Sequence, residues 1–386
     1  MYKQKSVNLL TVFRGLTALS IVWHHTQLAG TFISPSVFGQ NILWFINYNG
    51  VTGVTLFIVL SGYVIGKGFF GKKYRITVRS LLLYFWKRFI RIAPLYYLTL
   101  LAIILIFGQK ISGYKELILR LFTFTAYYPY LVWPFYYLWT ISVLVHYYLL
   151  APAIYLFSKL LIGKFRINPL IPLFAVLIIG LVYRSYSYFL QFPPNPLQGM
   201  ALAADVRQNL YIFTFGFLLN PLVNLIKNRV SLFLNLYRPG ISLILLLLIF
   251  LAGPVNAALQ HFNPADFGMY GLTLSYAPVL LLSALFIVIS ESGLGISGSG
   301  SRLKQFFLLP LYILQIIGTL SYELYLFHYP VIIKLGNSCE SGCTLSQFFL
   351  KIIFTVSVCA TMALTIGLIS GAAKNFTRRY TVKLFS

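Results

Sequence analysis

Arg14 and His25 stand eleven positions apart in a run that otherwise reads Leu9, Leu10, Val12, Phe13, Leu16, Ala18, Leu19, Ile21, Val22 and Trp23. At about 100° per residue, eleven steps make three turns and about 20°, so a helix carries both side chains on one face, about 16 Å apart along its axis. A guanidinium and an imidazole are costly inside a bilayer and mark function by default. The pair suits a site that holds an anionic substrate at one depth and does proton chemistry at another, with His25 as the reacting group. His24 falls about 80° off that line and is the lesser candidate. The plain structural alternative is an arginine reaching back to the interface and a histidine capped by a neighbouring helix.

A second pair of guanidiniums lies at Arg88 and Arg91, spaced i, i+3 on one helix face, with Pro94 just beyond to bend or restart the helix. Two forks on one face make a bidentate phosphate clamp; the alternative is a basic anchor at the membrane surface, which needs no fixed spacing. In Leu56-Phe57-Ile58-Val59-Leu60-Ser61-Gly62-Tyr63, the small Ser61 and Gly62 interrupt a bulky run. They admit either another helix backbone or a thin ligand chain. Trp139, Ser142 and His146 form a polar scatter in another apolar segment, and Ser321, Tyr325 and His328 recur at spacings of four and three, one polar stripe of a late helix. That stripe either faces the first helix across a cavity or is a hydrogen-bonded structural cluster. No Gly-rich phosphate loop, no paired carboxylates and no cysteine spacing of a zinc site occur, so the expectation is a site without metal.

The elements that position these groups are set by a bilayer. The chain is 59% hydrophobic and 9% charged with mean hydropathy +0.82, where a soluble domain carries about a quarter charged residues. Apolar windows near the required length of about 20 residues fall at 8–30, 50–70, 92–109, 134–158, 169–190, 207–226, 240–260, 271–290, 309–333 and 347–372. The expected fold is therefore an all-α polytopic membrane protein of about ten transmembrane helices, one domain over 1–386 with no appended soluble domain. Residues 111–133 read as an interfacial or re-entrant segment on the outer side. Residues 291–304, rich in Gly and Ser, read as a flexible cytoplasmic linker. Twenty-two Lys and Arg fall on one side, eight of them between Lys67 and Arg91, and six on the other, Lys110, Lys115, Arg120, Arg184, Arg207 and Lys334. Only Arg14 and Lys351 are left inside helices by this assignment. The positive-inside rule then puts both termini in the cytoplasm. The net charge of +24 is explained by topology and attraction to anionic membrane lipids, and nucleic acid is not needed as a partner. Cys339 and Cys343, in the last outer loop, are near enough in sequence to close a small disulfide or to stay free.

These motifs together resemble acyltransferase family 3, the integral-membrane group that includes O-acetylases of lipopolysaccharide O-antigen and exopolysaccharides. The resemblance rests on Phe13-Arg14-Gly15-Leu16-Thr17-Ala18-Leu19 with His25, on Leu56 to Tyr63, on Arg88-Phe89-Ile90-Arg91-Ile92-Ala93-Pro94-Leu95-Tyr96, and on Ser321-Tyr322-Glu323-Leu324-Tyr325-Leu326-Phe327-His328-Tyr329-Pro330, in that order along the chain. It implies a protein of the bacterial inner membrane that moves an acyl group, acetyl above all, from cytoplasmic acyl-coenzyme A to a carbohydrate or glycolipid acceptor outside. It also implies His25 as catalytic, and Arg14, Arg88 and Arg91 as coenzyme-binding or framework residues. Ser61 and Gly62 are expected to pass the coenzyme arm, and His24, Trp139, Ser142, His146, Ser321, Tyr325 and His328 to serve the acceptor or support the site. Where many relatives carry acidic residues after Trp-Ser-x-Ser-Val, this chain has Leu144 and Val145 followed by His146, so the role of those acids is not carried over. With no hydrolase-like domain appended, the chain either completes the transfer itself or works with a separate periplasmic acyl-handling protein or a second copy. The rival class is a proton-coupled transporter or flippase relaying through His25, His146 and His328, which requires paired broken helices in two related halves. No such repeat is visible. A non-catalytic envelope scaffold explains the basic loops but leaves Arg14 and His25 without a purpose.

Overall fold

A computed structural model describes residues 7–28, 36–37, 40–41, 48–107, 115–126, 134–191, 204–227, 232–262, 275–291, 302–336 and 345–381. Helix α1 (Leu9–Leu28) is followed by two-residue strands β1 (Ser36–Val37) and β2 (Gln40–Asn41), which pair antiparallel with Ser36 opposite Asn41. Next come α2 (Gly50–Phe70), α3 (Val78–Phe107) and the short α4 (Lys115–Phe122). A 3₁₀ turn over Tyr136–Leu138 runs into α5 (Trp139–Ser158), which ends in a π-helical turn over Lys159–Lys164. Then follow α6 (Leu170–Gln191), α7 (Val206–Lys227), α8 (Leu232–Phe262), α9 (Tyr276–Glu291), α10 (Arg302–Thr319), α11 (Ser321–Gly336) and α12 (Leu345–Thr381).

A bilayer leaves a lone segment no partner for its N–H and C=O groups except itself, which is why these apolar runs are helices. Seven of them, α2, α3, α5, α6, α7, α8 and α12, are long and apolar enough to cross a membrane, and an eighth crossing is made if α10 and α11 act as one broken span. The remaining two expected spans are α1, diluted by Arg14 and its histidines, and α9, of only 16 residues. The protein is an all-α polytopic membrane protein. Large apolar side chains on α3, α6 and α12, among them Leu105, Ile179 and Ile353, point outward, as a lipid-facing surface requires.

The centre is built on small residues. A Cβ on Gly62 would strike the Phe213 carbonyl of α7, and one on Gly216 would strike the Val59 carbonyl of α2, so the two backbones touch at that crossing. At Gly62 the small residue admits the backbone of α7, the helix-packing alternative of the two that the sequence offered. Gly15 of α1 and Gly318 of α10 repeat the device, each facing the other's backbone.

Three expectations are corrected. Helix α3 starts at Val78 rather than near residue 92 and carries Pro94 in its interior, because its basic first half is amphipathic rather than non-helical. The window 309–333 is two helices bent by 80° at Leu320 rather than one continuous helix. Arg184, counted among outer-side charges, is fully buried within α6; it donates to the Gln208 carbonyl, to Asn209 Oδ1 and to the Tyr276 hydroxyl, and lies over the Tyr276 ring. Of the linker, Arg302 and Lys304 belong to α10; residues 292–301 and both Cys339 and Cys343 lie outside the described residues. Helix α4 stands where an interfacial helix was expected, with Leu117 and Leu121 buried and Lys115 and Glu116 exposed.

Candidate active site

The first half of the site is a cluster of arginines. Arg88 and Arg91, one turn apart on α3, bring their charges to bear on Arg14 of α1, with Tyr148 of α5 beside them. The Arg88 guanidinium lies over the rings of Tyr84 and Tyr148, at 5.7 and 5.8 Å from their centroids, and donates from Nη2 to the Tyr74 hydroxyl at 3.5 Å. Its Nε is buried and has no hydrogen-bond partner. The three ion pairs among the described residues are Lys67–Glu291, Arg120–Glu116 and Arg207–Asp205, so no carboxylate among the described residues neutralises Arg14, Arg88 or Arg91. Glu323 comes near Tyr322, whose hydroxyl is engaged with the Ile92 carbonyl at 2.8 Å, without pairing with any of the three. Three like charges held together by separate helices, with a buried donor left over, make a seat for a polyanion.

The second half is an imidazole pair. His25 Nδ1 lies 2.8 Å from Nε2 of His328, which is fully buried on α11. Tyr136, Tyr137 and Tyr329 surround His25 with ring centroids at 6.1, 6.4 and 5.3 Å. The 80° bend before Ser321 is what turns α11 toward α1 here. Tyr137 is itself pinned, donating to the Leu326 carbonyl at 2.8 Å while its own carbonyl accepts from the Tyr325 hydroxyl.

On α1 the arginine and histidine are eleven residues apart, about 16 Å of helix. Their neighbours Tyr148, on α5, and Tyr137, in the 3₁₀ turn that leads into it, are also eleven residues apart. The arginine cluster and the imidazole pair therefore lie at two depths of one bundle.

The other sequence candidates divide. His24 Nδ1–H donates to the Tyr48 carbonyl at 2.8 Å and its ring packs on Gly50; it fastens the approach to α2. His146 Nδ1–H donates to the Ser142 carbonyl of its own helix at 2.8 Å, and it stands ten residues beyond Tyr136, about two turns into α5. Ser142 Oγ is buried without a partner, Ser61 is half-buried on α2, and Trp139 opens α5 at the core edge. Tyr325 stacks on Phe57 of α2, centroids 6.1 Å apart, and Ser321 is buried at the start of α11. The stripe is thus shared: His328 turns to the first helix, and Tyr325 braces the neighbouring backbone. Sequence reasoning missed the tyrosines. Tyr84 precedes Arg88 by four and was readable as its stacking partner; Tyr136, Tyr137 and Tyr148 carry no local signal among 28 tyrosines.

Residues 7–365 match the sequence pattern of an acyltransferase domain, that of acyltransferase family 3. The chain belongs to this family. Comparisons with curated proteins and with solved structures gave no match. The matched stretch of this family 3 acyltransferase contains both halves of the site, from Arg14 to His328.

Proposed function

We propose that this membrane acyltransferase draws its acyl group, acetyl in the first instance, from acyl-coenzyme A and passes it to a hydroxyl of a glycan or glycolipid on the opposite side. The observation that carries the reading is the unneutralised Arg14, Arg88 and Arg91 cluster, with the orphaned Arg88 Nε a donor waiting for an anion. These residues would hold the phosphates of the coenzyme. The distance of about 16 Å from Arg14 to His25 is one that the coenzyme's pantetheine arm can span. His25 then acts either as general base on the acceptor hydroxyl or as the group that first takes the acyl. Both termini and the arginine cluster face the cytoplasm of a bacterium, and the reaction ends at the outer face of its inner membrane.

Purified protein in proteoliposomes, given radiolabelled acetyl-coenzyme A and an envelope glycan acceptor, is expected to form an alkali-labile ester identified by mass spectrometry. His25→Ala should lower that rate by about 10²- to 10⁴-fold, the usual worth of a positioned acid–base group, with coenzyme binding retained. Wild-type transfer by His25→Ala protein overturns the assignment. Transfer that appears only when a periplasmic fraction is added would show a second protein completing the reaction.

A further inference from the structure

The hydrogen bonds around the two histidines fix where their protons sit. His328 Nδ1 faces two backbone carbonyls, that of Tyr325 at 2.7 Å and that of Leu324 at 3.2 Å. A carbonyl only accepts, so Nδ1 carries the hydrogen, and in a ring with one proton Nε2 is then a lone pair. That lone pair lies 2.8 Å from His25 Nδ1, and the Ile21 carbonyl one turn back on α1 is a further acceptor for the His25 ring, so Nδ1 must donate. The proton of His25 is committed to Nδ1, and its Nε2 is left bare.

We infer that His328 is a positioning residue, which holds His25 in the Nδ1–H tautomer so that Nε2 is the reacting atom, whether it takes a proton or the acyl group. This rests on the proposed role of His25. A carboxylate usually orients a catalytic histidine through the ring nitrogen that does not react. Here a second imidazole does so, oriented in turn by two backbone carbonyls of its own helix and bringing no charge into the bundle. The bend at Leu320 has a chemical consequence on this view: it aims the Nε2 edge of His328, rather than a lipid-facing side, at α1. When Nε2 of His25 takes the proton of an acceptor hydroxyl, the oxygen gains the electron pair for attack on the thioester carbonyl, the C–S bond breaks, and the departing thiolate takes that proton back from Nε2 to leave as the free thiol. The Nδ1–H to His328 stays in place throughout and disperses the charge of the imidazolium.

The test reads tautomer and turnover separately. In nanodisc-embedded protein labelled with ¹⁵N-histidine, the His25 resonances, assigned by their loss in His25→Asn, should show a protonated Nδ1 and an unprotonated Nε2. His328→Phe keeps the ring volume and removes the acceptor; it should lower kcat by about 10²-fold with coenzyme affinity unchanged. His328→Gln, which places a carbonyl oxygen near the Nε2 position, should recover a large part. A proton on His25 Nε2 in the wild-type protein, or wild-type kcat in His328→Phe, overturns the inference. Because the spectrum of the wild-type protein is decisive alone, a misfolded variant does not rescue it. Failure of the proposed function shows instead as undiminished transfer by His25→Ala, with the tautomer result intact.

Discussion

At the scale of single residues, the proposed function separates three arginines and three histidines into those that would face a ligand and those that hold the frame. Arg88 does both, since its flat face lies on Tyr84 and Tyr148 while its Nε is unspent. A charge-assisted hydrogen bond is worth about 1.5–3 kcal/mol, so Arg88→Ala should weaken acyl-coenzyme A binding by about 10- to 100-fold, measured by titration calorimetry in nanodiscs. Arg88→Lys should recover only part, because an ammonium lacks both the fork and the flat face. Unchanged affinity in Arg88→Ala sinks the clamp. His24 is the control. His24→Ala removes the donor to the Tyr48 carbonyl and should cost about 1–2 kcal/mol of stability, read in thermal unfolding, while kcat stays near the wild-type value. The sequence spacing separated His25 from His24 because helical angle depends on residue number alone. Nothing comparable pointed to Tyr137 or Tyr329, which reach His25 only through the folding of distant helices.

At the scale of helices, the apolar windows located most spans because the bilayer sets their length, and they failed where a helix does something besides crossing. Helix α3 has 30 residues, about 45 Å against a hydrocarbon core of about 30 Å. Its first three turns carry Arg88 and Lys87 beyond the apolar stretch, and a hydropathy average discards them. The bend between α10 and α11 was hidden for the opposite reason: both halves are apolar, and Leu320 marks no break in composition. Gly15 and Gly318 were legible only as small residues until the crossing of α1 and α10 showed what they meet. That crossing presents the Arg14–His25 face, so disturbing it should disturb chemistry. In Gly318→Ala the new methyl would press on the Thr11 carbonyl, an overpacking cost of about 1–3 kcal/mol. The expected result is a lower unfolding temperature together with reduced kcat. Gly240→Ala is the matched control, since nothing lies within 4 Å of that added carbon. Equal behaviour of the two variants removes the crossing from any account of the site.

For the molecule as a whole, the question is direction. Arg88 and Arg91 belong to the basic segment from Lys67 to Arg91, the same segment that dominates the charge bias of the loops, so the proposed function puts the ligand seat and the positive-inside signal on one side. Anionic lipids there add an attraction of about 1 kcal/mol per basic residue near the surface, which steadies the orientation but repels a polyanionic coenzyme. On the proposed function Arg14, Arg88 and Arg91 would offset that repulsion locally, and Arg184, buried in α6 with its own polar partners, takes no part in the bias. Coenzyme A, charged on its phosphates, does not cross the bilayer, so sealed vesicles of opposite orientation separate the two faces. Transfer should proceed when acetyl-coenzyme A is supplied to the face that bears residues 71–77, located by labelling a cysteine placed at Lys73, and should fall to leakage level when it is supplied to the other. The ester product should appear on the face opposite the coenzyme. Equal rates from both faces, or product and coenzyme on the same face, would mean that the two depths of the site are not the two ends of a path across the membrane.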